Sequence, residues 1–301
     1  MWPSIRPPKY LDLIAQQQPL LIFANLLRND PVNLVVRKSI VDERQISLDA
    51  PLIDRLEAIR GLKVGVAPGP VVVLRALFES VGMDVDNTIE VVLMDPESEN
   101  EAFGSGAVDA LYAYSPFLER ALVDQDAVII VNQSAGQFPQ VNFPQIHSMA
   151  TTQVYAAENP DVLVAISRGL LKAQQLIHDD LQATASALMQ AIEGLNPQHL
   201  ATIIEIYEPA IPQSPEVSVA GVVRVIDRFP DRRTPPGLTG IDLYDYVDPQ
   251  FALRAVNGGD SPSGNRIPGS GGGKGDGSGG GNKTAVNGES DDSVDSDDNG
   301  Y

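Results

Sequence analysis

Gly61-Leu62-Lys63-Val64-Gly65-Val66-Ala67-Pro68-Gly69-Pro70, running on into Val71-Val72-Val73-Leu74-Arg75-Ala76-Leu77-Phe78, decides the fold class of this chain. The first half reads as a short strand that breaks at Pro-Gly, and the second carries apolar residues at helical spacing. A strand that turns straight into a helix leaves backbone N–H groups without helical partners. With the positive end of the helix dipole they form a place for a carboxylate, sulfonate or similar anion, and the alternative reading is a tight turn alone. A second strand, Ile89-Glu90-Val91-Val92-Leu93, ends at Met94-Asp95-Pro96, and a short helix over 98–103 leads to Gly104-Ser105-Gly106. Residues 107–116 then read as a third strand with Tyr112, Tyr114 and Ser115 toward its far end. Three strand ends converge on one edge, the place where open α/β sheets bind ligands.

Outward from this unit, Pro19-Leu20-Leu21-Ile22-Phe23-Ala24 reads as a buried strand or a helix end, and Asn33-Leu34-Val35-Val36-Arg37 as a strand after Asp30-Pro31. An amphipathic helix is predicted over 52–59, another over 117–123, then the strand Ala127-Val128-Ile129-Ile130-Val131 and a polar crossing loop over 132–144. Ser148 to Tyr155 alternates like a strand. Asn159-Pro160, Asn196-Pro197 and Ser214-Pro215 each set an N-cap residue before proline, predicting helices from 160 (broken near Asp179-Asp180), over 197–207 and over 215–228.

Composition narrows the function classes. A charge of −19 over 301 residues argues against nucleic acid or an anionic membrane as the main partner. Cysteine is absent, which removes disulfides, thiolate metal sites and a thiol nucleophile. Three histidines, His147, His178 and His199, do not suggest a metal centre, and no cofactor is called for. No stretch has the ~20 apolar residues that span a bilayer. From Asn257 the chain turns Gly-, Ser- and Asp-rich, with 14 of the 26 glycines. Eight acidic against three basic residues there supply −5 of the charge, and this segment is expected to be a disordered acidic tail.

Arg55-Leu56-Glu57-Ala58-Ile59-Arg60-Gly61-Leu62-Lys63-Val64-Gly65-Val66-Ala67-Pro68-Gly69 resembles the L-x-x-L-x-G-K-x-V-G-V-x-x-G passage of substrate-binding proteins of nitrate/sulfonate/taurine-type ABC transporters, a family that includes thiamine-pyrimidine-precursor binders. Phe103-Gly104-Ser105-Gly106-Ala107-Val108-Asp109-Ala110 is similar to the family's A-x-x-x-G-x-V-D-A, Met149-Ala150-Thr151-Thr152 to its returning strand, and Glu158-Asn159-Pro160-Asp161 to its x-N-P-E/D helix start. The resemblance implies an α/β, two-lobed type II periplasmic-binding-protein fold, with crossings at Leu34 to Ser39 and Phe143 to Thr152. Little precedes Leu20, so the first lobe is expected to be incomplete and the chain N-terminally truncated. The expected divisions are 1–37 as a remnant of lobe 1, 38–144 as lobe 2, 145–256 returning to lobe 1, and 257–301 as the tail.

The implied function is a monomeric, non-enzymatic solute-binding component that hands a small anionic or heteroaromatic ligand to an ABC permease complex. Its place is periplasmic or at the cell surface by resemblance, or cytoplasmic if Met1 is the true start. Candidate ligand-binding residues are Gly69, Pro70 and Val71 at the first strand end, Asp109, Tyr112 and Ser115 around the third, and Thr151 on the returning strand. Asp109 also reads as a capping or hinge residue, and Thr151 as ordinary strand. An enzyme on the same fold, of the pyrimidine-forming, menaquinone-pathway or desulfinase type, is the competing class the resemblance implies. Its desulfinase type needs a cysteine, and a histidine base would have to be His147. A sensory or non-functional fragment is the third.

Overall fold

The structure, a computed structural model, describes residues 4–5, 7–138, 142, 145–193, 195–227, 238 and 240–258. Of the expected acidic tail, residues 259–301 lie outside them. Two sheets organise the described chain.

The smaller sheet has the order β1 (Ser4–Ile5), β8 (His147–Thr152), β2 (Leu20–Leu27), with β8 antiparallel to both neighbours. Side chains alternate across β2: Ile22 packs with Tyr10, Leu11 and Ile14 of α1 (Pro7–Ala15), while Leu21 and Phe23 face Leu163, Val164 and Phe251. Those last residues belong to α8 (Pro160–Asp179) and α12 (Gln250–Val256). The apolar run left open between strand and helix end is thus the strand.

The larger sheet has the order β5 (Glu90–Leu93), β4 (Lys63–Val66), β6 (Ala110–Ala113), β3 (Asn33–Arg37), β7 (Ala127–Val131). β4 runs parallel to β5 and β6, and β3 runs antiparallel to β6 and β7. On one face, Leu34, Val64, Val66 and Tyr112 pack against α3 (Leu52–Ala58) and α4 (Val71–Glu79) through Leu52, Leu56, Leu74, Leu77 and Phe78. On the other, Val35, Leu111 and Ala113 meet α5 (Pro96–Ser105) and α6 (Phe117–Asp124) through Phe103, Leu118 and Ala121. A Cβ at Gly65 would lie 2.9 Å from Leu111 Cδ2 and 3.1 Å from Met94 Cε, so a larger residue here would have to push these side chains aside.

Both sheets belong to a two-lobed, type II periplasmic-binding-protein-like fold. The crossings between lobes differ from those expected. Leu34 to Arg37 is a strand of the larger sheet, so the first crossing is 28–32 and precedes it. The second falls between β7 and β8, and of the segment expected to cross at 143–152, His147–Thr152 is a strand of the smaller sheet. A boundary at 37/38 therefore follows β3 rather than preceding it. Apolar strands and crossing segments look alike in sequence, and only hydrogen-bond pairing separates them.

Beyond β8 the strand is shorter than its alternation suggests. Thr152 accepts a hydrogen bond from the Tyr155 N–H and starts α7 (Gln153–Glu158). The helix from Pro160 breaks at Asp180, whose carboxylate caps α9 (Leu181–Ala191), and Asn196 caps α10 (Pro197–Tyr207). Pro215 does not open a helix. Its carbonyl accepts from the Asn25 N–H of β2, and α11 (Val219–Asp227) starts four residues later, capped by Ser218 Oγ on the Gly221 N–H. α10 lies on the larger sheet's lobe through Ile206 and Tyr207, whereas Val217 and Val222 return the chain to the smaller one.

Candidate functional site

The carboxyl ends of β4, β5, β6 and β7 share one edge with the amino end of β3. At β4 the chain turns through Ala67-Pro68-Gly69-Pro70 into α4. Gly69 is exposed, Pro70 buried and Val71 half-buried. The turn has few donors. Pro68 and Pro70 have no N–H, the Val71 N–H is committed to the Ala67 carbonyl at 3.2 Å, and those of Val73 and Leu74 donate to the Pro70 carbonyl. Gly69 and Val72 are left with no backbone partner among the described residues. One turn along α4, Val73 packs against Ile146, which also meets Leu27 and donates its N–H to the Leu27 carbonyl at 2.9 Å. Ile146 leads into β8 and Leu27 ends β2, so the two lobes touch here.

At the end of β6, the Ser115 N–H donates to Tyr207 Oη at 2.8 Å, and Ser115 Oγ donates to Glu119 at 2.9 Å. Tyr207 Oη in turn donates to the Pro31 carbonyl at 3.1 Å, tying α10, the first crossing and the β6–α6 turn together. Burial holds the Tyr207 hydroxyl above its usual pKa. Glu119 is buried, and its second oxygen has no hydrogen-bond partner.

The two crossings are pinned to each other at Ser134, which is fully buried. Asn33 Nδ2 donates to Ser134 Oγ (2.9 Å), the Ser134 N–H donates to Asn33 Oδ1 (3.1 Å), Ser134 Oγ donates to the Asp30 carbonyl (3.2 Å), and Asn29 Nδ2 donates to the Ser134 carbonyl (3.1 Å). Asp30 turns the chain by accepting the Val32 N–H at 3.0 Å.

Glu99 stands closest to an unfinished site. It lies one turn before Phe103 on the buried side of α5, has no solvent exposure, and neither carboxyl oxygen has a hydrogen-bond partner. Burial pushes its pKa up to about 8 and Glu97 adds to the rise. The Ala67 peptide N–H opposes it without making a hydrogen bond of normal geometry.

Of the residues proposed from sequence, Gly69, Pro70, Val71 and Ser115 come to this edge. Asp109 does not. It precedes β6, and its carboxylate accepts the Lys63 N–H at 2.9 Å, stitching the opposite, amino ends of β4 and β6. Tyr112 is sealed in the core with its hydroxyl donating to Gln133. Thr151 pairs with Leu21, at the end of β8 remote from Ile146. Because β8 is antiparallel, its amino end faces the crossing and its carboxyl end points away. His147 is partly exposed at that amino end, while His178 bonds Glu208 and His199 bonds Asp124. Among the described residues no group of His, Asp and Glu is placed to hold a metal, and no helix is long and apolar enough to cross a membrane.

Comparison with curated proteins gives no match. Among solved structures, the periplasmic sulfonate-binding protein SsuA from Methylobacillus flagellatus KT, a putative sulfonate ABC transporter component, is 17% identical with a TM-score of 0.59, over 85% of this chain and 74% of that one. The periplasmic nitrate-binding protein NrtA from Synechocystis PCC 6803 is 13% identical with a TM-score of 0.58, over 86% and 74%. The desulfurization enzyme DszB is 14% identical with a TM-score of 0.50, over 83% of each chain. At these identities the likeness establishes the shared fold. Residues 13–193, more than half of the sequence, match the NMT1-like family, and they contain both crossings, the five-stranded sheet and the Ala67–Pro70 turn; the chain belongs to the NMT1-like family.

Proposed function

We propose that this protein is the solute-binding component of an ABC-type importer and takes a small ligand at the edge formed by Gly69, Pro70, Val71 and Ser115. The observation that carries this reading is the contact of Val73 with Ile146, which brings the carboxyl edge of one lobe against the entry to β8 in the other. A ligand lodged between them would be held by both lobes. SsuA and NrtA support a solute-binding role, with a sulfonate, nitrate or heteroaromatic head as the ligand classes to test, a permease complex as partner, and the periplasm as the place of action. The likeness to DszB raises an enzymatic reading, but a thiol nucleophile is unavailable in a chain without cysteine.

Calorimetry of the full chain with nitrate, methanesulfonate, taurine and aminopyrimidines is the test. Space at Gly69 supplies a clean variant, because a Cβ there meets nothing within 4 Å. Gly69→Phe should weaken binding at least tenfold while the melting temperature holds. Gly169→Phe on α8, equally unhindered, should leave affinity alone. Unchanged affinity in Gly69→Phe would place the ligand elsewhere.

A further inference from the structure

The Ala67–Pro70 turn is poorly equipped for an oxyanion. Nitrate and sulfonates present only acceptors, and a helix start receives them with several free N–H groups. Here two prolines and three committed amides leave Gly69 and Val72. Most of the lobe's basic side chains are engaged elsewhere: Arg37 and Lys63 lie at the opposite strand ends, Arg75 is paired with Asp86, Arg60 with Glu57 and Lys38 with Asp42, Arg44 and Arg55 donate to backbone carbonyls, and Arg120 is exposed. Beside the Ala67 amide there is instead the fully buried, unpartnered carboxyl of Glu99. A buried carboxyl with both oxygens unbonded is costly unless a partner completes it.

Resting on the solute-binding reading, we propose that Glu99 is the specificity-determining residue of this edge and that it selects a ligand whose head carries an N–H donor beside an acceptor, as in an amide, urea or amidine, over an oxyanion. A neutral carboxylic acid offers one O–H donor and one C=O acceptor side by side, which matches that head with two parallel hydrogen bonds. Toward an oxyanion only the O–H helps and the C=O repels. The carboxyl is enclosed in this conformation, and the proposal includes that parting of the lobes opens a path to it past the Ala67–Pro70 turn.

Glu99 is neutral at pH 7 because burial pushes its pKa to about 8. The other charged groups on elements packed against α5 are engaged, distant or exposed. On α6, Glu119 bonds Ser115, Asp124 bonds His199, and Arg120 is exposed. Lys63 and Asp109 sit at the far strand ends, Tyr112 bonds Gln133, and Arg37 stacks on Phe103.

Calorimetry on the full chain with cytosine, 4-aminopyrimidine and nicotinamide, against nitrate and methanesulfonate, decides the matter. At pH 7 at least one donor–acceptor probe should bind at least tenfold more tightly than either oxyanion. Glu99→Ala should lose at least tenfold. Glu99→Gln, which keeps a donor beside an acceptor, should stay within about threefold. From pH 7 to 9.5 the wild type should lose about thirtyfold as the O–H is removed, and Glu99→Gln should not. Preferred binding of an oxyanion, or equal binding by Glu99→Ala in a folded variant, overturns this proposal and leaves solute binding standing. Binding of neither probe class overturns both readings.

Discussion

Glu99 and Tyr112 show at the scale of single residues what spacing could not reveal. Tyr112 shares a strand face with Tyr114, and the strand's polar end suggested a ligand wall, yet its hydroxyl is spent on Gln133 inside the core. Tyr112→Phe leaves Gln133 Oε1 buried without its donor and should cost about 1–2 kcal/mol, read by chemical denaturation. Glu99 sits in a run with Asp95, Glu97 and Glu101, and its inward direction follows from sharing a face with Phe103. Its linkage has a definite sign. The folded chain binds the Glu99 proton up to about pH 8, whereas an unfolded glutamate releases it near its ordinary value. Between those limits the native state holds more protons than the unfolded one. Wild-type stability therefore falls relative to Glu99→Gln by up to about 1.4 kcal/mol per pH unit across that window, and not below it. Denaturation curves of both proteins at pH 4, 6 and 8 check this; a constant difference would mean that Glu99 titrates normally.

At the scale of elements, the sequence carried most of the larger sheet. Hydrophobic runs bounded by Gly and Pro marked β4 to β7, because each is short, apolar and punctuated by residues with one backbone preference. The returning segment was harder. Thr152 is strand and cap at once, and Ser214-Pro215 imitates a helix start while Ser218 performs it. The imitation fails because the Pro215 carbonyl is needed by Asn25 of β2, a partner 190 residues away that no local pattern encodes. Ser218→Ala should therefore destabilise the protein by about 1 kcal/mol, and Ser214→Ala by less than half of that, in thermal melts. The edge residues divide the same way. Gly69, Pro70, Val71 and Ser115 were legible from strand ends, whereas Tyr207, Ser134 and Ile146 reach the crossings only through long-range contacts.

For the whole molecule, the two-lobed α/β plan was legible from four motifs in register, while the positions of the crossings were not, since both depend on which sheet a strand joins. Residues 259–301 hold too few apolar side chains to offset ordering entropy. Ending the chain after Gly258 should leave the melting temperature within about 1 °C, as differential scanning calorimetry would show. A larger fall would mean that the acidic segment contributes to the fold. The chain passes between the lobes at 28–32 and 132–146, then again into α10 and back out of it. A door on one pin can swing and wobble, whereas each further hinge removes a direction of motion. The motion expected of the lobes is therefore a narrow swing about a single axis. Spin labels at Glu79→Cys and Gln175→Cys, unique in a chain without other cysteines, should give one sharp distance distribution that shifts without broadening when ligand is added.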